Sequence, residues 1–176
     1  THADYVKRYG DKMENLGCWY DNAKLTIAVN KDSKAKTIGD LKSMGDDYGN
    51  TLYGIEAGAG LTKVTQQSAI PKYGLKNLNF KISSTPAMLS QLKKATAANR
   101  DLAVTLWRPH WAYGAFPVRD LEDPKNAMGD AEVIYSFARP GFEKDFLKAA
   151  QLMRNMTFDD KTLSDLEDTM FSADKY

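Results

Sequence analysis

The stretch TLYGIEAGAGLTKVTQQSAIPKY, residues 51–73, decides the fold. Thr51 to Ile55 is a β-rich run, Glu56-Ala-Gly-Ala-Gly is a turn, and a helical stretch follows from Leu61 to Tyr73. Pro71 stands in its last turn, so the regular helix is expected to end near Ala69. Downstream the pattern repeats. Asn79 to Ser83 reads as a strand, Ser84-Thr-Pro-Ala-Met opens a helix running to about Ala98, and Asp101 to Leu106 reads as the next strand. Upstream lie a short strand at Leu25 to Val29 and an N-capped helical turn at Thr37-Ile-Gly-Asp-Leu. Tyr5, Tyr9, Met13 and Leu16 fall at helical spacing, predicting a first helix over Tyr5 to Leu16 with Gly17 as its C-cap. The far end has a strand at Glu132 to Ala138 and helices near Gly141 to Asn155 and Asp159 to Met170. Strands alternating with helices imply βαβ units, an α/β fold and a mostly parallel sheet.

The chain is 176 residues long, about one domain or two small lobes at roughly 150 residues per domain. Apolar residues at 43% and charged residues at 27% are the mixture of a folded globular chain. Lysine and arginine exceed acidic residues by 24 − 23 = +1, which leaves no basic field for a nucleic-acid backbone. Apolar runs such as Leu102 to Trp107 fall far short of the ~20 residues that cross a bilayer. Cys18 is the single cysteine, and His2 and His110 are the only histidines, so no internal disulfide or conventional metal site is expected. The chain opens Thr-His-Ala-Asp without a signal peptide and reads as a mature, trimmed or excised segment.

Two segments could carry chemistry. The first is Gly54-Ile-Glu-Ala-Gly-Ala-Gly60, between a strand and a helix. Its glycines allow close approach of the backbone, and free N–H groups at such a turn favour a carboxylate or phosphate. It lacks the ending of a P-loop and the glycine spacing of a dinucleotide site, and a tight βα turn is the plain alternative. The second is Trp107-Arg-Pro-His-Trp111, directly after a strand, where parallel α/β sheets bind ligands. The π face of Trp107 suits a quaternary ammonium; the alternative is an anchor for a proline-stiffened loop. His110 reads as a loop-fixing hydrogen-bond donor rather than a base, because no serine or cysteine nucleophile accompanies it. Trp111 and Trp19 read as packed aromatics, Asp46-Asp47 and Asp159-Asp160 as solvated charges. His2 either donates to an anion or frays.

Thr1-His2 with Tyr5, GIEAGAG at 54–60, SSTPAML at 83–89, VTLWRPHW at 104–111 and LEDPK at 121–125 occur in this order. The sequence resembles the glycine betaine-type substrate-binding proteins of osmoprotectant ABC importers from residue 1 to about 158. The resemblance implies a type II periplasmic-binding-protein-like fold, with two lobes and mostly parallel sheets, that closes by hinge motion. Residues 1–22 would belong to the first lobe and hinge approach, 23–110 to the second lobe, and 111–176 to the return to the first lobe and the C-terminal helices. It implies Trp107 as one wall of an aromatic cage, and the Gly54 and Ile55 amides with His2 as carboxylate ligands. It also implies a non-enzymatic, extracytoplasmic protein without cofactor. Such a protein would deliver glycine betaine, proline betaine, carnitine or choline to an ABC permease.

In the family a Trp-Leu-Pro element lies just before the Thr-His, and an earlier segment supplies another cage tryptophan. By that pattern the chain looks like the C-terminal two-thirds of such a protein, or a rearranged member, with one lobe incomplete. Weak binding and self-association of the isolated chain are then expected. The rival readings are a small α/β enzyme using the glycine turn as an oxyanion site, and a ligand-sensing module without transport.

Overall fold

The computed structural model describes residues 3–172. Helix α1, Ala3–Tyr9, ends in a 3₁₀ turn at Gly10–Lys12, and the chain then enters β1, a 17-residue strand over Glu14–Asn30. The expected helix to Leu16 therefore stops early. Leu16 is buried as a strand residue, and Gly17, expected to cap a helix, takes φ +105° inside the strand, facing the Arg154 backbone.

Strand β1 changes partners along its length. Glu14 to Ala23 pairs antiparallel with β6, Glu132–Ala138, with three register shifts. From Lys24 onward it pairs antiparallel with β4, Ala103–Arg108, over six regular rungs from Lys24↔Arg108 to Val29↔Ala103. On its other side Ala28 to Asn30 pairs with β5, Val118–Asp120, a strand too short to be read in the sequence. Strands β2, Thr51–Tyr53, and β3, Asn79–Lys81, complete the sheet, in the order β3-β2-β4-β1-β5. Parallel pairing joins β3, β2 and β4, the expected βαβ core, while β1 adds antiparallel pairs and makes the sheet mixed.

The connection after β2 is helical from Gly60 to Tyr73, as α2 (Gly60–Val64), a π turn (Thr65–Ala69) and α3 (Ile70–Tyr73). It outruns the expected stop near Ala69. In the wider turn Ile70 N–H reaches Thr65 O, which makes room for Pro71, whose ring clashes with an α-helical carbonyl four residues back. The helix ends instead at Gly74, with φ +66°. Helix α4, Thr85–Ala97, starts on Ser84, whose side chain accepts the Ala87 N–H, and buries Met88, Leu92 and Ala95. The turn at Ile38–Lys42 is 3₁₀, closed by a Thr37/Asp40 capping box.

One hydrophobic cluster holds this body together, running from Ile27 through Leu52, Met88, Leu92 and Leu106 to Ala112, Val118, Leu121 and Met128. β5 and the segment to Met128 contribute Val118, Leu121, Ala127 and Met128 to this same cluster. A short helix α5, Ala112–Ala115, falls within that segment. The remaining elements are α6 (Phe142–Asp145), α7 (Leu147–Asn155) and α8 (Asp160–Ser172), and α7 packs on β1 and α8 on α5.

Candidate functional site

Tyr53 pairs with Val104 on parallel strands, so the next residues, Gly54 and Ile55, run alongside the stretch of β4 that leads to Trp107. Trp107 lies inside β4 rather than just after it, partly buried and packed against the core. Fold topology thus brings Trp107, Gly54 and Ile55 to the carboxyl ends of neighbouring parallel strands. His2 lies outside the described residues.

At the turn, the Gly54 N–H is already engaged: it donates to Lys81 O at 2.9 Å and extends the β2–β3 ladder. Its glycine identity has a packing cause, because a Cβ there would meet the Phe80 ring at 2.6 Å. The Ile55 N–H, in contrast, has no protein acceptor among the described residues. Glu56 pins the turn to α4, accepting from Thr85 N at 2.7 Å and Thr85 Oγ1 at 2.8 Å. These bonds hold its carboxyl below the usual range. Ser83 Oγ donates to Gly54 O at 2.9 Å.

Around Trp107 the structure builds an aromatic stack. The His110 ring meets it at 4.4 Å between centroids with an interplanar angle of 89°, and Trp111 lies on His110 at 5.7 Å and 26°. Trp111 continues to Phe116 at 5.7 Å, a packed aromatic as expected. His110 Nδ1 accepts the Ala112 N–H at 3.0 Å, so the histidine fixes its loop as an acceptor, not as the expected donor. Burial lowers its pKa to about 4, leaving the ring neutral with its proton on Nε2. Trp19 packs edge-on against Phe158 at 6.1 Å.

On the opposite face of β4 from Trp107 lies a polar network that the sequence reading missed. Arg108 Nε donates to Asp120 Oδ2 at 2.7 Å, and its guanidinium lies 3.8 Å over the Tyr113 ring. Tyr113 donates to Asp120 at 2.5 Å and shares a hydrogen bond with Thr26 at 2.9 Å. Asp160, expected to be merely solvated, accepts from Tyr20 at 2.8 Å and from Asn22 at 2.9 and 3.0 Å, with Arg108 3.5 Å away. Burial pulls its pKa upward, but those donors and Arg108 together hold it below the usual range. The available signal was Arg108 itself, one residue from Trp107 and therefore on the other face of the strand.

A cavity of about 410 Å³ lies between β1, the end of β5 and the 126–131 loop, and one of about 260 Å³ beside Arg108 and α8; neither is lined by Trp107, Gly54 or Ile55. Among the described residues no cluster of histidine, cysteine or carboxylate side chains is placed to hold a metal. No described helix is long and apolar enough to cross a membrane.

Residues 1–175 match the family model described as the substrate-binding domain of the ABC-type glycine betaine transport system. The chain belongs to that family. It is 39% identical over 134 residues to the glycine betaine/carnitine transport binding protein GbuC of Listeria monocytogenes, an alignment covering 75% of this chain and 43% of that protein. Among solved structures it is similar to the glycine betaine/L-proline-binding protein ProX of Borrelia burgdorferi, with a TM-score of 0.74 and 30% identity over 99% of this chain and 66% of that one. Lactococcal OpuAC, solved closed with glycine betaine, gives a TM-score of 0.75 and 26% identity over 99% of this chain and 67% of its own. The fold is therefore of the periplasmic-binding-protein type, and the chain spans less than half of the Listeria relative and about two thirds of the solved ones.

Proposed function

We propose that this chain binds a small quaternary-ammonium zwitterion, glycine betaine foremost, with proline betaine, carnitine and choline as weaker candidates, and serves its delivery to an ABC permease. The observation that carries this reading is the pairing of unlike chemistries at adjacent strand ends. Trp107 offers a π face to a cation that cannot donate hydrogen bonds, and the Ile55 N–H is an unspent donor for a carboxylate. His2 joins Ile55 in that role, whereas Gly54 supplies the close packing that shapes the turn. The family relationship supports transport over an enzyme that uses the glycine turn as an oxyanion site. Such a role places the chain outside the cytoplasm beside its permease. The lobes divide where β1 changes partners, near residues 22–24, and the second runs to about Met128. Exposed Val133 and Tyr135 on β6 make self-association of the isolated chain a further expectation.

Calorimetry with glycine betaine, its dimethyl analogue and choline tests the reading. Choline, lacking the carboxylate, should bind about one to two decades more weakly, the value of a charge-assisted hydrogen bond at a desolvated site. Trp107→Phe should keep most affinity, while Trp107→Leu should lose the cation–π part, about 0.5–2 kcal/mol. Equal affinities of the Phe and Leu variants, or of choline and betaine, would remove the basis for this orientation of the ligand.

A further inference from the structure

We propose that His110 is a positioning residue for Trp107: its buried ring, anchored on the Ala112 N–H, sets the orientation in which the indole meets a ligand cation. This rests on the reading of Trp107 as a cation-binding wall. A cation–π contact depends on where the ring face points, and a partly exposed tryptophan at a strand end has several rotamers open to it. His110 narrows that choice. Its side chain is only 5% exposed, its ring meets Trp107 edge to face at 4.4 Å, and Trp111 covers it at 5.7 Å. The 3.0 Å bond from Ala112 N–H to Nδ1 favours one setting of the ring over its flip, so His110 holds Trp107 rather than following it. The buried ring is also neutral and places no positive charge against the indole that would repel a ligand cation.

An apolar residue of similar size could fill this space but could not accept the Ala112 N–H. Asparagine could accept that bond but has no ring to set against Trp107. These two properties separate in two variants, His110→Asn and His110→Phe.

The full chain labelled with 5-fluorotryptophan contains Trp19, Trp107 and Trp111, and Trp107→Phe assigns the Trp107 ¹⁹F resonance. In ligand-free wild type we expect that resonance to be single and sharp. His110→Asn should broaden or split it and weaken glycine betaine binding about 3- to 10-fold, the cost of ordering a freed side chain on binding. His110→Phe should restore a single resonance and most of the affinity, even if it unfolds at a lower temperature for want of the Ala112 bond. A Trp107 resonance as sharp in His110→Asn as in wild type overturns the proposal, as does one equally disordered in a folded His110→Phe protein. If wild type binds no quaternary ammonium, the functional reading fails, and the ligand-free spectra still decide whether His110 orients Trp107.

Discussion

The two halves of β1 run through different surroundings. From Lys24 to Asn30 the strand lies in a sheet whose neighbours Leu52, Leu92, Val104 and Leu106 are fully buried. From Glu14 to Ala23 it pairs only with β6, beside helices that bury little: Phe146, Leu147 and Leu152 are 52%, 56% and 68% exposed, and Met170 and Phe171 more than half. The body around Lys24 to Asn30 is held by packing. The one around Glu14 to Ala23 relies on particular polar ties, chiefly Asp160 with Tyr20 and Asn22, and Glu14 with the backbone of Gly141 and Glu143. Trp107, Gly54 and Ile55 stand on the packed side, where strand ends are positioned by the core rather than by exposed contacts.

Deleting packing should be costly on that side. Leu92→Ala, fully buried on α4, should lose about 2–5 kcal/mol in urea unfolding through lost transfer energy and a residual cavity. A loss no larger than that of an exposed leucine would break the contrast.

A second test uses pH. His110 titrates near 6.5 in an unfolded chain and about 4 here, so the unfolded state takes up its proton first. Its contribution is complete above pH 6.5 and is lost as pH falls toward 4, up to about 3 kcal/mol. Urea titrations at pH 7, 5.5 and 4 should show this slope in wild type, and His110→Asn should flatten that part of it.

Within the glycine turn, Gly54→Ala should cost about 1–3 kcal/mol by driving a methyl into Phe80, whereas Gly58→Ala, with open space around it, should be close to neutral. Equal effects would mean that packing against Phe80 does not dictate Gly54.

The two smallest expected effects sharpen the comparison most. Asp160→Ala should cost only about 1–2 kcal/mol, since the side chain is partly exposed, yet speed amide exchange in α8 while leaving β4 unchanged. Leu152→Ala, 68% exposed, should stay within about 0.5 kcal/mol. Uniform acceleration across both bodies would show a single cooperative unit.

What could be read from the sequence follows the same division. Residues 51–106 announce themselves because buried parallel strands are β-rich and their helices begin at Gly60 and Ser84. The first half of β1 hides: three register shifts against β6 break its two-residue alternation, and Tyr9, Met13 and Leu16 fall by coincidence at helical spacing. At the candidate site, Trp107 and the glycine turn are legible as residue types at strand ends. That Gly54 spends its N–H on Lys81, and that His110 accepts rather than donates, depends on neighbours 27 and 2 residues away whose placement only the folded chain supplies. The Asp160 network joins residues about 140 apart in sequence, and no local pattern signals it.

As a mechanical member, β1 is a cantilever. Its 17 residues reach roughly 56 Å at about 3.3 Å per residue, clamped at one end by six even rungs and compliant at the other, where three extra residues bulge out of register. A bending load applied through β6 concentrates at the root of the clamp, between Ala23 and Lys24. Stiffness and give are thus built into one uninterrupted length of backbone, with the flexure placed one rung from the strand end that carries Trp107.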